Sequence, residues 1–190
     1  MDYESIKAEV EKVLSARRFK HSAGVADTAA ALAEKYGGDA DEARLAGILH
    51  DITKELSPEE HMKLVRKYNI TLDEDEKAAP KLWHAITAPP LLKERFGVSD
   101  AIASAVRYHT TGRADMSLLE KIIYLADYME PSRDFDGVEK LRRLTFENLD
   151  DALRLALRMS VEEVKRSGKK VHKNTLEALM YMEGLKKPED

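Results

Sequence analysis

Apolar residues recur three and four positions apart along almost the whole chain, and alternating β-branched runs are nearly absent. The first spacing buries one face of a helix and the second one face of a strand, so the sequence predicts an all-α protein. Helices are expected over residues 3–15, 22–36, 39–55 and 58–68. Ser57 caps the last of these, and Pro58 takes the first helical position, where a missing N–H does no harm. Gly37-Gly38 and Asn69 serve as stops. After an acidic stretch at 73–76, a helix starting near Pro80 is expected to break or restart at Pro89-Pro90 before continuing over 91–96. An interior proline lacks a donor and clashes with the preceding turn. Further helices fit 99–109, 117–129, 138–146, 149–167 and 175–185, with Asn148 and Asn174 as N-caps. No repeat, low-complexity tract or flexible linker divides the 190 residues, which suit one helical domain.

Charge and cysteine content narrow the chemistry. Lys and Arg number 31 against 35 Asp and Glu, a formal net charge of −4 with the signs interspersed. That balance argues against a protein that coats nucleic acid, so an anionic ligand must meet a local basic cluster. The start Met1-Asp2-Tyr3-Glu4 is acidic, and no apolar run reaches the roughly 18–20 residues of a membrane span. A cytoplasmic protein without a membrane partner is expected, with a homodimer left open. Since the chain has no cysteine, any metal site must use imidazole and carboxylate, a donor set that suits iron, manganese, zinc or magnesium.

Several polar residues fall where a helix should bury apolar ones. Ala43, Ala46, Gly47 and His50 share one helical stripe, and Asp51 follows one step around it. A buried carboxylate without a partner is costly or takes up a proton. Leu119, Ile122, Ile123 and Ala126 lead to Asp127 on a second stripe. His21 begins the face of Val25, Ala29 and Leu32, and His109 ends the face of Ile102, Ala105 and Val106. A bound cation would account for all five. Each taken alone has a plainer explanation: a core histidine usually finds a hydrogen bond, Asp127 can pair with an arginine, and this composition yields about 0.5 His-Asp dipeptides by chance. His61, amid Glu59, Glu60 and Lys63, reads as a surface residue.

Taken together, His21, His50-Asp51 and Asp127 resemble the H…HD…D pattern of the HD phosphohydrolase superfamily. Longer segments narrow the likeness: Arg18-Phe19-Lys20-His21-Ser22-Ala23-Gly24-Val25, Leu49-His50-Asp51-Ile52-Thr53-Lys54, Leu82-Trp83-His84-Ala85, Arg107-Tyr108-His109-Thr110-Thr111-Gly112-Arg113 and Ala126-Asp127-Tyr128-Met129-Glu130-Pro131-Ser132-Arg133. They resemble one bacterial group, the YqeK-type symmetrical diadenosine tetraphosphatases, from Arg18 to about Leu179. The resemblance implies an HD-domain helical bundle with its metal-binding core at about 18–135 and a helical part at about 136–186. It also implies iron held by His21, His50, Asp51 and Asp127, and cleavage of diadenosine tetraphosphate at its central bridge to two ADP.

Roles for the remaining residues follow from the same resemblance. His84 and His109 match the extra histidines of two-metal HD proteins, in which Asp51 would bridge the ions; with one metal they would contact phosphate or transfer protons. Lys54, one turn beyond Asp51 if the helix continues, joins His50 and Asp51 as a catalytic candidate and is a phosphate contact; without the resemblance it reads as a solvated lysine. Arg18 and Arg133 are expected to hold phosphate through their guanidinium forks. Thr110 and Thr111 belong to a polar loop at the pocket mouth. Lys170, His172 and Thr175 belong to the basic segment 169–175, which resembles one that closes over the nucleotide. Trp83 either stacks on adenine or packs in the core. ADP or GDP is expected as a product-like ligand. Two rival readings stand beside this one: an HD phosphohydrolase of another nucleotide, and a non-catalytic nucleotide-binding regulator.

Overall fold

The computed structural model describes residues 2–184, and every regular element among them is helical. α1 (Tyr3–Val13) turns at Leu14-Ser15 into the long α2 (Ala16–Tyr36), whose first turn is capped by the Ser15 hydroxyl accepting from the N–H of Arg18. Gly37, at φ 73°, ends α2 in the left-handed conformation that relieves its last carbonyls. α3 (Ala40–Leu49) then folds back onto α2. Gly47 makes that approach possible: a Cβ there would lie 2.6 Å from Cα and 2.8 Å from the backbone nitrogen of Ala26.

α7 (Asp100–Tyr108) and α8 (Leu118–Met129) complete the central group, α7 against α3 and α8, and α8 against α2 and α3. Leu32, Ile48, Leu49, Ile122, Ile123 and Leu125 are fully buried among them, each contributing about 1.5–3 kcal/mol by leaving water. α6 (Trp83–Phe96) flanks α7, and α4 (Pro58–Lys67) covers α6 over a second small apolar cluster of Val65, Leu72 and Ile86. α5 (Glu74–Ala78) and a 3-10 turn (Pro80–Leu82) lead into α6. α10 (Leu149–Arg166) packs on α8 and carries α9 (Val138–Glu147) and α11 (Lys173–Met182). Among the described residues no helix is long and apolar enough to cross a membrane.

Where local structure departs from expectation, the causes are physical. α2 starts at Ala16, six residues before Ser22, because Ser15 supplies the cap. α3 ends at Leu49 instead of 55, leaving His50 at its C-cap and residues 51–55 in turns. Pro89 and Pro90 lie inside α6 without breaking it; packing against α4 and α7 outweighs the roughly 3 kcal/mol an interior proline costs. The acidic stretch at 73–76 forms α5, since Asp73 and Glu76 build a capping box. Asn148 caps α10 as expected, whereas α11 is capped by His172, not Asn174. The expected end of that helix at Leu185 lies outside the described residues. His61 is not on the surface: it is buried under α6, its Nδ1 2.9 Å from the Thr87 hydroxyl.

Candidate metal centre

Six side chains from five segments converge at one point: His21 from α2, His50 and Asp51 at the end of α3, His84 from α6, His109 at the end of α7 and Asp127 in the last turn of α8. The ends of α3, α7 and α8 are helix C-termini, which carry partial negative charge and favour a cation. All four histidines are buried, and each has its Nδ1 committed. His50, His84 and His109 donate to the carbonyls three residues upstream, Gly47 at 2.7 Å, Lys81 at 2.8 Å and Val106 at 2.7 Å. His21 Nδ1 lies 3.0 Å from Glu130 Oε1. These acceptors place the proton on Nδ1 and leave Nε2 as a bare lone pair, the arrangement that metal-binding imidazoles use.

The four Nε2 atoms gather around the two oxygens of Asp51. On one side, His21 Nε2 is 3.3 Å from His50 Nε2 and 3.1 Å from Asp127 Oδ1, while His50 Nε2 is 3.5 Å from Asp51 Oδ2. On the other, His84 Nε2 is 3.1 Å from His109 Nε2, and Asp51 Oδ1 lies 3.2 Å and 3.6 Å from them. Asp51 Oδ1 is sealed from solvent and has no hydrogen-bond donor. Lone pairs facing one another at about 3 Å repel, and a divalent ion between them turns the repulsion into coordination. For metal–nitrogen bonds of about 2.0–2.1 Å, ligands on adjacent vertices lie about 2.8–3.4 Å apart. The donor set, all imidazole and carboxylate, suits iron, manganese or zinc. The residues therefore fit a divalent metal centre, with Asp51 offering one oxygen to each half.

Protonation follows the same geometry. Burial pushes His84 down to about 4, against the pull of Asp51, so its ring is neutral near pH 7. For His50 burial acts in the same direction, but Asp51 and Asp127 outweigh it and raise the pKa. Asp51 and Asp127 are held well below the usual carboxylate range despite burial, Asp51 by His50 and Asp127 by His21. Three protein cations face these acids. Arg18 Nη1 lies 2.8 Å from Asp51 Oδ2, Arg133 Nη2 lies 2.6 Å from Asp127 Oδ1, and Lys54 Nζ lies 3.0 Å from His84 Nε2 and 3.7 Å from Asp51 Oδ1. Lys54 reaches this position from a turn and not from a continuing helix. Burial lowers its pKa, and Asp51 and Asp127 counteract this only in part.

A cavity of about 600 Å³ is lined by residues that lie close to His84 and His109 in the chain, Leu82 on one side and Thr110 on the other, though by none of the six converging side chains themselves. Thr110, Thr111, Lys170, His172 and Thr175, far apart in sequence, line it together with Lys81. Ala78, Ala79, Pro80, Leu82, Val164 and Val171 supply apolar walls. The 169–175 segment is tied across to α5 by Lys170–Asp75 at 2.6 Å and Lys173–Asp73 at 2.8 Å. Trp83 is directed elsewhere: its indole N–H donates to the Glu76 carbonyl at 2.8 Å and its ring packs on the second apolar cluster. Of the two readings of Trp83, these contacts are those of core packing.

Glu130 is the site residue that sequence reasoning quoted without giving a role. It is 1% exposed and accepts from His21 and from both the N–H and the hydroxyl of Ser132. The signal lay in Gly24, one turn beyond His21, where a Cβ would sit 2.7 Å from Glu130 Oε2.

Comparison with known proteins agrees with this geometry. Residues 18–132 match the family model described as HD domain. The chain is 41% identical over 157 residues to the symmetrical bis(5'-nucleosyl)-tetraphosphatase of Bacillus subtilis, covering 80% of this chain and 82% of that protein. It is 37% identical over 168 residues to the protein of the same name from Halalkalibacterium halodurans, covering 88% and 89%. An HD superfamily hydrolase from Clostridium acetobutylicum, described as involved in NAD metabolism, superposes in its crystal structure with a TM-score of 0.93 at 37% identity, covering 97% of this chain and 98% of that one.

Proposed function

This chain belongs to the HD domain family and, within it, to the symmetrical bis(5'-nucleosyl)-tetraphosphatases, and we propose that it hydrolyses diadenosine tetraphosphate at the central bridge to two ADP. The observation that carries the proposal is the pair of facing histidine Nε2 atoms on each side of Asp51, together with a 600 Å³ cavity that adjoins His84 and His109 through Leu82 and Thr110 and combines apolar walls with Lys81, Lys169 and Lys170 alongside Asp75 and Glu163. The resident cofactor we assign is iron: His21, His50 and Asp127 would hold one ion and His84 and His109 a second, with Asp51 available to both. Bound there, divalent ions would neutralise charge on phosphoryl oxygens and lower the pKa of water enough to supply hydroxide near neutral pH.

The protein's own groups account for binding and orientation. A tetraphosphate bridge is strongly anionic, and Arg18, Lys54 and Arg133 bring three positive charges to its path despite the chain's net charge of −4. In the free protein these cations rest on Asp51 and Asp127, so phosphate takes over partners that are already aimed. Lys54, close to both Asp51 and His84, is the ammonium placed to offset charge on the departing ADP. One nucleoside enters the apolar-walled cavity, where Thr110 and Thr111 offer hydroxyls and Lys170 and His172 close the outer side. ADP or GDP is the product-like ligand that fits the same place.

Product analysis tests the assignment. Protein reconstituted anaerobically with iron or manganese and given diadenosine tetraphosphate should yield ADP alone on anion-exchange chromatography. ATP plus AMP would overturn the central-bridge cleavage. No turnover, with phosphate released from a nucleoside monophosphate, would favour another nucleotide, and tight ADP binding with no turnover of either would favour a regulator.

A further inference from the structure

We propose that Arg142 and Glu130 are positioning residues for one half of the metal centre, the half built on His21 and Asp127. The inference rests on the metal-centre reading above, extends the part Glu130 plays there from fixing a tautomer to setting metal affinity, and adds Arg142, which lies beyond the 18–132 stretch that matches the family.

The geometry begins at the end of α8. The chain leaves the helix at Glu130 and makes a tight turn closed by the Arg133 N–H donating to the Glu130 carbonyl at 2.9 Å. Both ends of this turn serve the same half of the centre. Glu130 stands behind His21, accepting its Nδ1–H at 3.0 Å, and Arg133 grips Asp127 with Nη2 on Oδ1 at 2.6 Å and Nε on the backbone carbonyl at 2.9 Å. A short turn following a helix is not rigid by itself, and an error of a few tenths of an ångström at Glu130 would let the His21 ring rotate.

Arg142 supplies the rigidity. From α9 its guanidinium donates to three backbone carbonyls around the turn: Met129 at 2.8 Å, Glu130 at 2.9 Å and Arg133 at 2.7 Å. Its Nη1 is anchored in turn by Glu139. A planar fork of five donors can satisfy three fixed acceptors at once, whereas a lysine ammonium on a flexible stem cannot hold them in that geometry. Inside the turn, Ser132 fixes Glu130 through its N–H at 2.7 Å and its hydroxyl, and Gly24 leaves the space the carboxylate occupies. A carboxylate that orients a ligand imidazole commonly changes metal affinity by about 10–100-fold when removed.

Titration with Mn2+ followed by electron paramagnetic resonance tests this without depending on turnover. In the wild type, two equivalents should give the spectrum of a coupled pair. Glu130→Ala should weaken one of the two sites about 10–100-fold, so that at intermediate Mn2+ the spectrum is that of an isolated ion held by His84 and His109. Glu130→Gln keeps an acceptor oxygen for His21 and should recover most of the affinity. Arg142→Lys should weaken the same site, with the metal-free protein still folding cooperatively. Unchanged affinity in Glu130→Ala and Arg142→Lys, or equal loss at both sites alongside a collapse in thermal stability, overturns the positioning role. Wild-type protein that takes up no Mn2+ overturns the metal-centre reading itself, and this proposal with it.

Discussion

Because the two oxygens of Asp51 face different histidine pairs, with Oδ2 3.5 Å from His50 Nε2 and Oδ1 3.2 Å from His84 Nε2, replacing it by asparagine removes the shared charge and turns one oxygen into a donor. Asp51→Asn should reduce hydrolysis to background and lower bound metal from two ions per chain, as measured by elemental analysis; full occupancy in the variant would refute its bridging role. His84 gives a prediction about pH. Its folded pKa of about 4 lies below the ordinary 6.5, so between those values the unfolded chain binds a proton that the folded chain refuses. The contribution of His84 to the stability of the metal-free protein should therefore fall as pH drops from 6.5 towards 4, by about 2 kcal/mol near pH 5 at 1.36 kcal/mol per unit, with the raised pKa of His50 acting the other way. Urea unfolding at pH 7 and pH 5 reads this, and His84→Gln should flatten the difference. The ligands on apolar stripes, His21, His50 and Asp127, were legible because burying such groups contradicts local patterning. His109 was legible in the same way, on the face of Ile102, Ala105 and Val106, while His84 and the second-metal role of His109 came through family likeness, and Glu130 escaped notice because a glutamate at a helix end looks solvent-exposed until Gly24 and His21 are seen to enclose it.

At the scale of elements, the centre depends on how closely α2 and α3 approach, because His21 rides on one and His50 ends the other. Gly47→Ala would drive a methyl group to within 2.6 Å of the Ala26 backbone, an overlap that no side-chain rotation relieves. It should cost about 1–3 kcal/mol of stability, as overpacking does, and weaken metal binding as well, because the His21–His50 separation must widen. Thermal unfolding with and without Mn2+ separates the two effects, and an alanine variant that melts and binds like the wild type would refute the close-packing argument. Helix periodicity found most elements, since burial of one face is written locally. It misplaced those settled by distant partners. α3 stops at Leu49 so that His50 and Asp51 can turn into the centre, and α6 runs through two prolines because neighbouring helices hold it from both sides. His61 was misread for the same reason, its charged neighbours in sequence concealing a contact with α6.

For the whole molecule, a chain with a small negative net charge assembles a cationic path from Arg18, Lys54 and Arg133 at a cluster of acids and imidazoles. Such a cluster is stable only while it is charge-balanced. The side-chain cations provide part of that balance in the free protein, and a divalent metal held there would complete it. The cavity draws on α5, the 3-10 turn before α6, the loop after α7, α10 and the 169–175 segment, a juxtaposition that no local pattern encodes and that only the family likeness anticipated. The central claim, that the HD residues form a two-metal centre shared at Asp51, is tested most directly by anomalous scattering at the iron edge from crystals grown anaerobically with iron. Two peaks about 3.5–4 Å apart, one against His21, His50 and Asp127 and the other against His84 and His109, are the predicted result. A single peak with His84 and His109 free of metal, or none, would contradict it.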